Sequence, residues 1–256
     1  MTWSAASGIL ASALLLMQSP GEMVQVPAGS YQPLYRGKEV PPRIEVHTFL
    51  MDVHPVTNAE YLAFVQEYPQ WQRSKVKPIF AESTYLKYWA GDVSFDPTLA
   101  NAPVTNVSWF AARKYCECQG KRLATSDEWE YTATASETAA SGTDDAAFNQ
   151  RLLEWYSKPN PRVTPNVGST FRNHYGIWDL HGLVWEWVED FNSALITGDS
   201  RADTETSSNF FCGSGALGAN DFKNYAAFLR YGFRGSLKAN YCINNLGFRC
   251  AKDVES

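Results

Sequence analysis

PVTNVSWFAARKYCECQGKRLATSDEWEY, residues 103–131, carries two helix starts and a helix stop in one short stretch. Ser108 stands where an N-cap belongs, because its hydroxyl can accept a bond from an amide of the first turn. The helix it opens, SWFAARKYCECQG, ends at Gly120, the residue type that takes the left-handed conformation after a last turn. Thr125 caps a second, shorter helix, TSDEWEYTATAS. Glu128 three residues on completes a reciprocal capping box. Glu128 and Glu130 are expected to cap or to pair with arginines as part of a buried framework. Cys116 and Cys118 are two apart on a helix and so point to different faces, which argues against a shared metal site.

Outward from that stretch the same grammar continues. HPVTNAEYLAF, 54–64, places Thr57 as N-cap and Glu60 as its box partner, predicting a helix to about Tyr68. Tyr61, Leu62, Phe64 and Val65 supply its apolar face. Upstream, MVQVPAGSYQPL (23–34) and RIEVHTFLMDVHPVT (43–57) read as strands, the second closed by Pro55. Residues 69–100 are irregular and ring-rich, and 136–145, SETAASGTDD, form a surface loop. Beyond 160 the sequence reads as short strands and turns. With neither repeat nor linker, one α+β domain is expected.

Composition narrows the function classes. Hydrophobic residues make up 45% and charged residues 19% of 256 positions, an ordinary globular balance. The net charge of −5, with no basic run, argues against a nucleic-acid partner. Aromatic residues reach 14%, enough to line a groove or to pack a loop-rich core. Ile9–Met17 is an apolar run too short to span a bilayer and of the length of a signal-peptide core, although Met1–Ser7 lacks a basic residue. Residues 1–22 are therefore expected to be an export segment and 23–253 the domain, placed in the periplasm or secreted, with no integral span in the mature chain.

Together with NHYGIWDLHGLVWEWVEDF (173–191) and RYGFRGSLKANYCINNLGFRCA (230–251), these blocks resemble the formylglycine-generating enzymes, or sulfatase-modifying factors. The resemblance covers roughly residues 22–252 and implies the fold of that family, an elaborated C-type-lectin-like α+β domain with little regular structure. It implies a disulfide between Cys116 and Cys250, worth about 2–5 kcal/mol. It also implies a structural calcium site at Glu186, with Asp179 as a nearby acid. Leu183 replaces the family's Asn there, and Ala124 replaces a usual Pro.

The family's copper chemistry is not implied. Its two cysteines, soft ligands for copper(I), fall on Asp221 and Ala226, so neither copper nor iron is supported by the sequence. What the resemblance leaves is a groove lined by Trp185, Asp221, Tyr225, Arg230, Arg234 and Ser236. The Gly-rich segment FFCGSGALGAND (210–221) adds Cys212, either a buried small residue or a free thiol. His174 and His181, seven apart near the WEW block, are candidate ligands for iron or copper with Asp179.

The leading expectation is an exported accessory or maturation protein that oxidises or positions a protein, peptide or peptide-derived small molecule. It is similar in logic to periplasmic members that act in pyoverdine maturation or accompany copper nitrite reductases. The alternatives are a lectin-like module for peptide or glycan and an oxidoreductase using Cys212 or the His174/His181 region.

Overall fold

Both capping boxes form as the sequence predicts. The computed structural model describes residues 21–33, 43–159, 161, 163–192 and 222–254, with backbone alone for 222–225. Helix α1 spans Asn58–Glu67, where the Thr57 side chain accepts from Glu60 N and the Glu60 carboxylate accepts from Thr57 N at 2.8 Å. Helix α2 spans Trp109–Cys118 behind Ser108, and Gly120 follows at φ +65°, a conformation open to glycine at no steric cost. Helix α3, Ser126–Ala133, repeats the box with Thr125 and Glu128.

The two long strand-like runs each break in two. β1 (Met23–Val26) and β2 (Gly29–Tyr31) come from the first, β3 (Ile44–Val46) and β4 (Phe49–Asp52) from the second. A four-stranded antiparallel sheet has the order β1-β4-β8-β5, with β5 at Arg122–Leu123 and β8 at Cys250–Asp253. Met51 faces Ala251 and Leu123 faces Cys250, so the C-terminal strand lies between the N-terminal strand pair and the turn after α2. β2 and β3 form a separate antiparallel ribbon. β6 (Trp185–Trp187) and β7 (Leu246–Phe248) pair in parallel, joining the WEW and GFR blocks side by side.

That parallel pair explains the letters of GFRC. A Cβ on Gly247 would stand 2.8 Å from the Val104 carbonyl oxygen, so only glycine lets the strand approach this closely. Phe248 is wholly buried against Tyr61 and Tyr115. Cys250 is bonded to Cys116, tying β8 to α2.

Two helices were not expected from the sequence. α4 spans Ala146–Ser157, with Asp145 accepting from the Ala147 and Phe148 amides, and α5 spans Phe222–Gly235. They pack together, Ala226 of α5 lying against Phe148 and Leu152 of α4. The expectation of mostly short strands and turns beyond 160 is thus amended by α5. Among the described residues no helix is long and apolar enough to cross a membrane. The apolar run at 9–17 lies outside the described residues.

Candidate functional site

Glu130 sits at the inner end of the site, on α3 and 4% exposed. Arg230 donates from Nε to both of its oxygens (2.9 and 3.1 Å) and from Nη2 to Oε2 (2.7 Å). Arg234, four residues along the same face of α5, donates from Nη1 to Oε1 at 2.7 Å. Burial alone would raise the Glu130 carboxyl. The two guanidiniums more than reverse this and hold its pKa at about 2. Both guanidiniums also lie over the Trp129 ring, 5.6 and 4.8 Å from its centre. Tyr156 Oη accepts from Arg230 Nη1 at 3.3 Å.

A second acid–arginine junction supports the first from behind. Trp129 Nε1 donates to Glu186 Oε2 at 2.8 Å. Arg249 donates from Nε and Nη2 to the same carboxylate at 2.7–3.0 Å, and from its two Nη atoms to the carbonyls of Asp52, Val53 and Trp178. The pair is sealed from solvent, with side chains 1% and 0% exposed. Trp129 is therefore clamped at its edge by Glu186 and carries the two arginines on its face.

In front of Glu130 opens a cavity of about 450 Å³. α3 contributes Glu130, Tyr131 and Ala133, and α4 contributes Phe148, Asn149 and Leu152. α5 contributes Ala226, Ala227, Arg230 and Tyr231. The β2–β3 side adds Tyr31 and Arg43, and Tyr175 closes the wall. The phenols are held in place: Tyr31 Oη donates to Asp127 at 2.6 Å, and Tyr175 Oη donates to Tyr131 Oη at 3.2 Å. Burial pushes the Tyr231 phenol up to about 12. The lining is mixed, with Ala133, Phe148, Leu152 and Ala226 set among tyrosines, two arginines and other polar side chains.

The structure redistributes the expected groove residues. Arg230 lines the cavity, as does Ala226, one of the two positions onto which the resembled family's cysteines fall. Arg234 stands behind Glu130. Trp185 stacks on Phe233 at 4.3 Å and packs against Trp155 and Tyr156, in a closed ring cluster apart from the cavity. Ser236 is exposed and donates to the Phe233 carbonyl at the end of α5. Cys212, Asp221 and the side chain of Tyr225 lie outside the described residues. Missing from the sequence reading were Tyr31, Arg43, Phe148, Leu152 and Tyr175. Tyr31 and Arg43 sit beside strands whose contacts are non-local, but Asp145 followed by Phe148 and Leu152 was a readable capped helix.

The residues expected at a metal site are engaged by other protein groups. Glu186 has both oxygens engaged by Arg249 and Trp129, and a guanidinium on a carboxylate repels a dication. Asp179 is committed elsewhere, accepting from the amides of Gly168 and Thr170 and from Thr170 Oγ1. These bonds and His54 Nδ1 at 3.7 Å outweigh its burial and keep its carboxyl low. The two residues do not fit a calcium site. Nor do His174 and His181 combine. His174 is exposed, whereas His181 is buried with Nε2 on the Ala133 carbonyl at 2.9 Å, and burial pushes its pKa down to about 3. Among the described residues no group of three His, Cys, Asp or Glu is placed to hold a metal ion.

Comparison with known proteins gives the same fold. The sulfatase-modifying factor enzyme 1-like domain matches residues 15–254. The inactive Cα-formylglycine-generating enzyme 2 of Bos taurus is 27% identical, over 90% of this chain and 87% of its own. The serine/threonine-protein kinase pkn1 of Chlamydia pneumoniae is 26% identical over 83% of this chain, which spans only about a third (34%) of that protein's length. The crystal structure of CarF superposes with a TM-score of 0.52 at 16% identity, covering 92% of this chain and 99% of that one, a likeness of fold alone. The chain belongs to the sulfatase-modifying factor family and has the α+β fold of the formylglycine-generating enzymes.

Proposed function

We propose that this chain is an exported accessory member of its family that holds a peptide or peptide-derived partner in the cavity beside Glu130. On this reading it does not generate formylglycine through a copper–thiolate pair. The observation that carries the reading is Ala226, a methyl group on the cavity wall at a position where the family's chemistry needs a thiolate. Copper(I) calls for a pair of soft ligands, and the five cysteines of the chain do not supply one there. Cys116 and Cys250 are bonded to each other. Cys242 is buried, its thiol pushed up to about 12 by desolvation, and Cys118 ends α2. Cys212 alone remains. Similarity to a relative whose name calls it inactive points the same way. Export is supported by the Cys116–Cys250 bond, since such bonds persist in oxidising compartments, and by the apolar run at 9–17.

The test incubates the full chain with copper(I), oxygen and a fluorescent cysteine-containing peptide. Binding is followed by anisotropy and the peptide's fate by mass spectrometry. The expected result is binding that weakens in Ala226→Trp, with no oxygen-dependent change in peptide mass above the protein-free blank. Conversion of the peptide cysteine to formylglycine over many turnovers would falsify the proposal.

A further inference from the structure

We infer that the cavity selects a ligand bearing a carboxylate, its anionic end received between Arg230 and Arg43. This rests on the reading of the cavity as a binding site and names the chemistry that site would favour.

The inference begins with a charge imbalance. Two guanidiniums, 8% and 5% exposed as residues, share the single carboxylate of Glu130. A buried cation left without a counter-charge is costly, and the surrounding acids do little to offset it. Glu186 is committed to Arg249, and Asp127 bonds Tyr31 rather than either guanidinium. Trp129 supplies one ring face for both arginines. Arg43, exposed on the β3 side, adds a further positive charge to the lining, where Asp144 is the remaining acid. Arg43 and Arg230 match Glu130 and Asp144 within the lining, so the excess is the one positive charge that Arg234 adds behind Glu130, in a chain of net charge −5.

Geometry gives the imbalance a direction. Arg230 reaches Glu130 through Nε and Nη2, and its Nη1 makes one long bond of 3.3 Å to Tyr156. A guanidinium carries five N–H donors, so hydrogens on both Nη atoms remain beyond these bonds. Arg230 also lines the cavity, whereas Arg234 does not. A carboxylate entering there meets a donor already fixed by Glu130, which reduces the ordering cost of binding. Phe148 and Leu152 on the facing wall are suited to an apolar body attached to it.

The test uses phenylacetate and phenylacetamide, equal in shape and different in charge, with the full chain in saturation-transfer NMR at fixed ionic strength. The acid is expected to bind about tenfold or more tightly than the amide, the usual gain of a charge-assisted hydrogen bond. Arg43→Gln should narrow that ratio, and Ala226→Trp should remove binding of both. If Ala226→Trp does not fold, Ala227→Trp fills the same cavity from the next position of α5. Equal affinity for acid and amide, or acid binding untouched by the cavity-filling variants, overturns the inference. Wild-type protein that binds the fluorescent peptide through the cavity yet shows no preference for the acid sinks this inference alone. Loss of peptide binding as well removes the reading beneath it.

Discussion

Replacing Cys116 and Cys250 together by alanine tests the most consequential bond in the fold. The two residues are 134 apart in sequence. Closing a loop of that length in the unfolded chain removes conformational entropy worth about 5 kcal/mol at 25 °C by the chain-entropy relation, against roughly 2–5 kcal/mol for native bonds removed from small domains. Both cysteines are fully buried, so the variant adds the cost of two small voids to this figure. The structural consequence is specific, because the bond holds β8, one of the two inner strands of the sheet, against α2. Urea unfolding followed by tryptophan fluorescence should show a loss of at least about 2 kcal/mol, the lower end for native bonds. Unfolded, non-reduced wild type should titrate three thiols, five cysteines less the bonded two. A loss under about 1 kcal/mol, or five titratable thiols, would refute both the bond and the compartment argued from it.

Two further variants probe the buried ionic frame. Glu186→Gln strands Arg249 without its charge partner, and breaking a sealed pair costs about 3–5 kcal/mol. Chemical denaturation should show it, and added calcium should move the wild-type midpoint by nothing measurable. His181→Phe tests the buried neutral imidazole, whose folded pKa of about 3 lies below the unfolded value. The unfolded chain then binds the extra proton, so this contribution is intact above about pH 6.5 and declines as pH falls toward 3. Wild type should lose up to about 1.4 kcal/mol per pH unit relative to His181→Phe across that window. Parallel pH profiles for the two proteins would contradict the buried-neutral assignment.

The local signals were legible because their physics is local. Thr57, Ser108 and Thr125 cap helices through bonds spanning three residues, and Gly120 stops one through its own φ. The Cys116–Cys250 pairing was legible only through resemblance, since nothing near either cysteine names its partner. Glu130 was expected to meet an arginine, but its two partners lie 100 and 104 positions away on a helix that was not anticipated. α5 escaped because Gly232 and Gly235 interrupt its pattern and a Gly-rich stretch precedes it. The Arg249 partner of Glu186 was hidden for a related reason. A carboxylate between two tryptophans reads the same whether it faces a cation or a guanidinium, and Arg249 supplies the answer from β8's edge.

In a fold whose strands are two to four residues long, ladder hydrogen bonds alone hold little, and buried carboxylates act as junctions between distant segments. Asp52 receives Lys121 at 2.5 Å and the Cys250 amide at 2.9 Å; Glu186 receives Arg249 and Trp129; Glu130 receives α5. That use limits what these acids can do chemically. A general base works best with a pKa near the working pH, and two arginines hold Glu130 near 2, far too weak a base at neutrality. On the proposed reading, the carboxylate at the back of the cavity is therefore a positioning residue. It fixes Arg230 so that the donors of that arginine face an incoming ligand in one orientation. The same junction that closes the fold thus presents the site, and a site built this way is suited to holding its partner, with proton transfer left to groups other than Glu130.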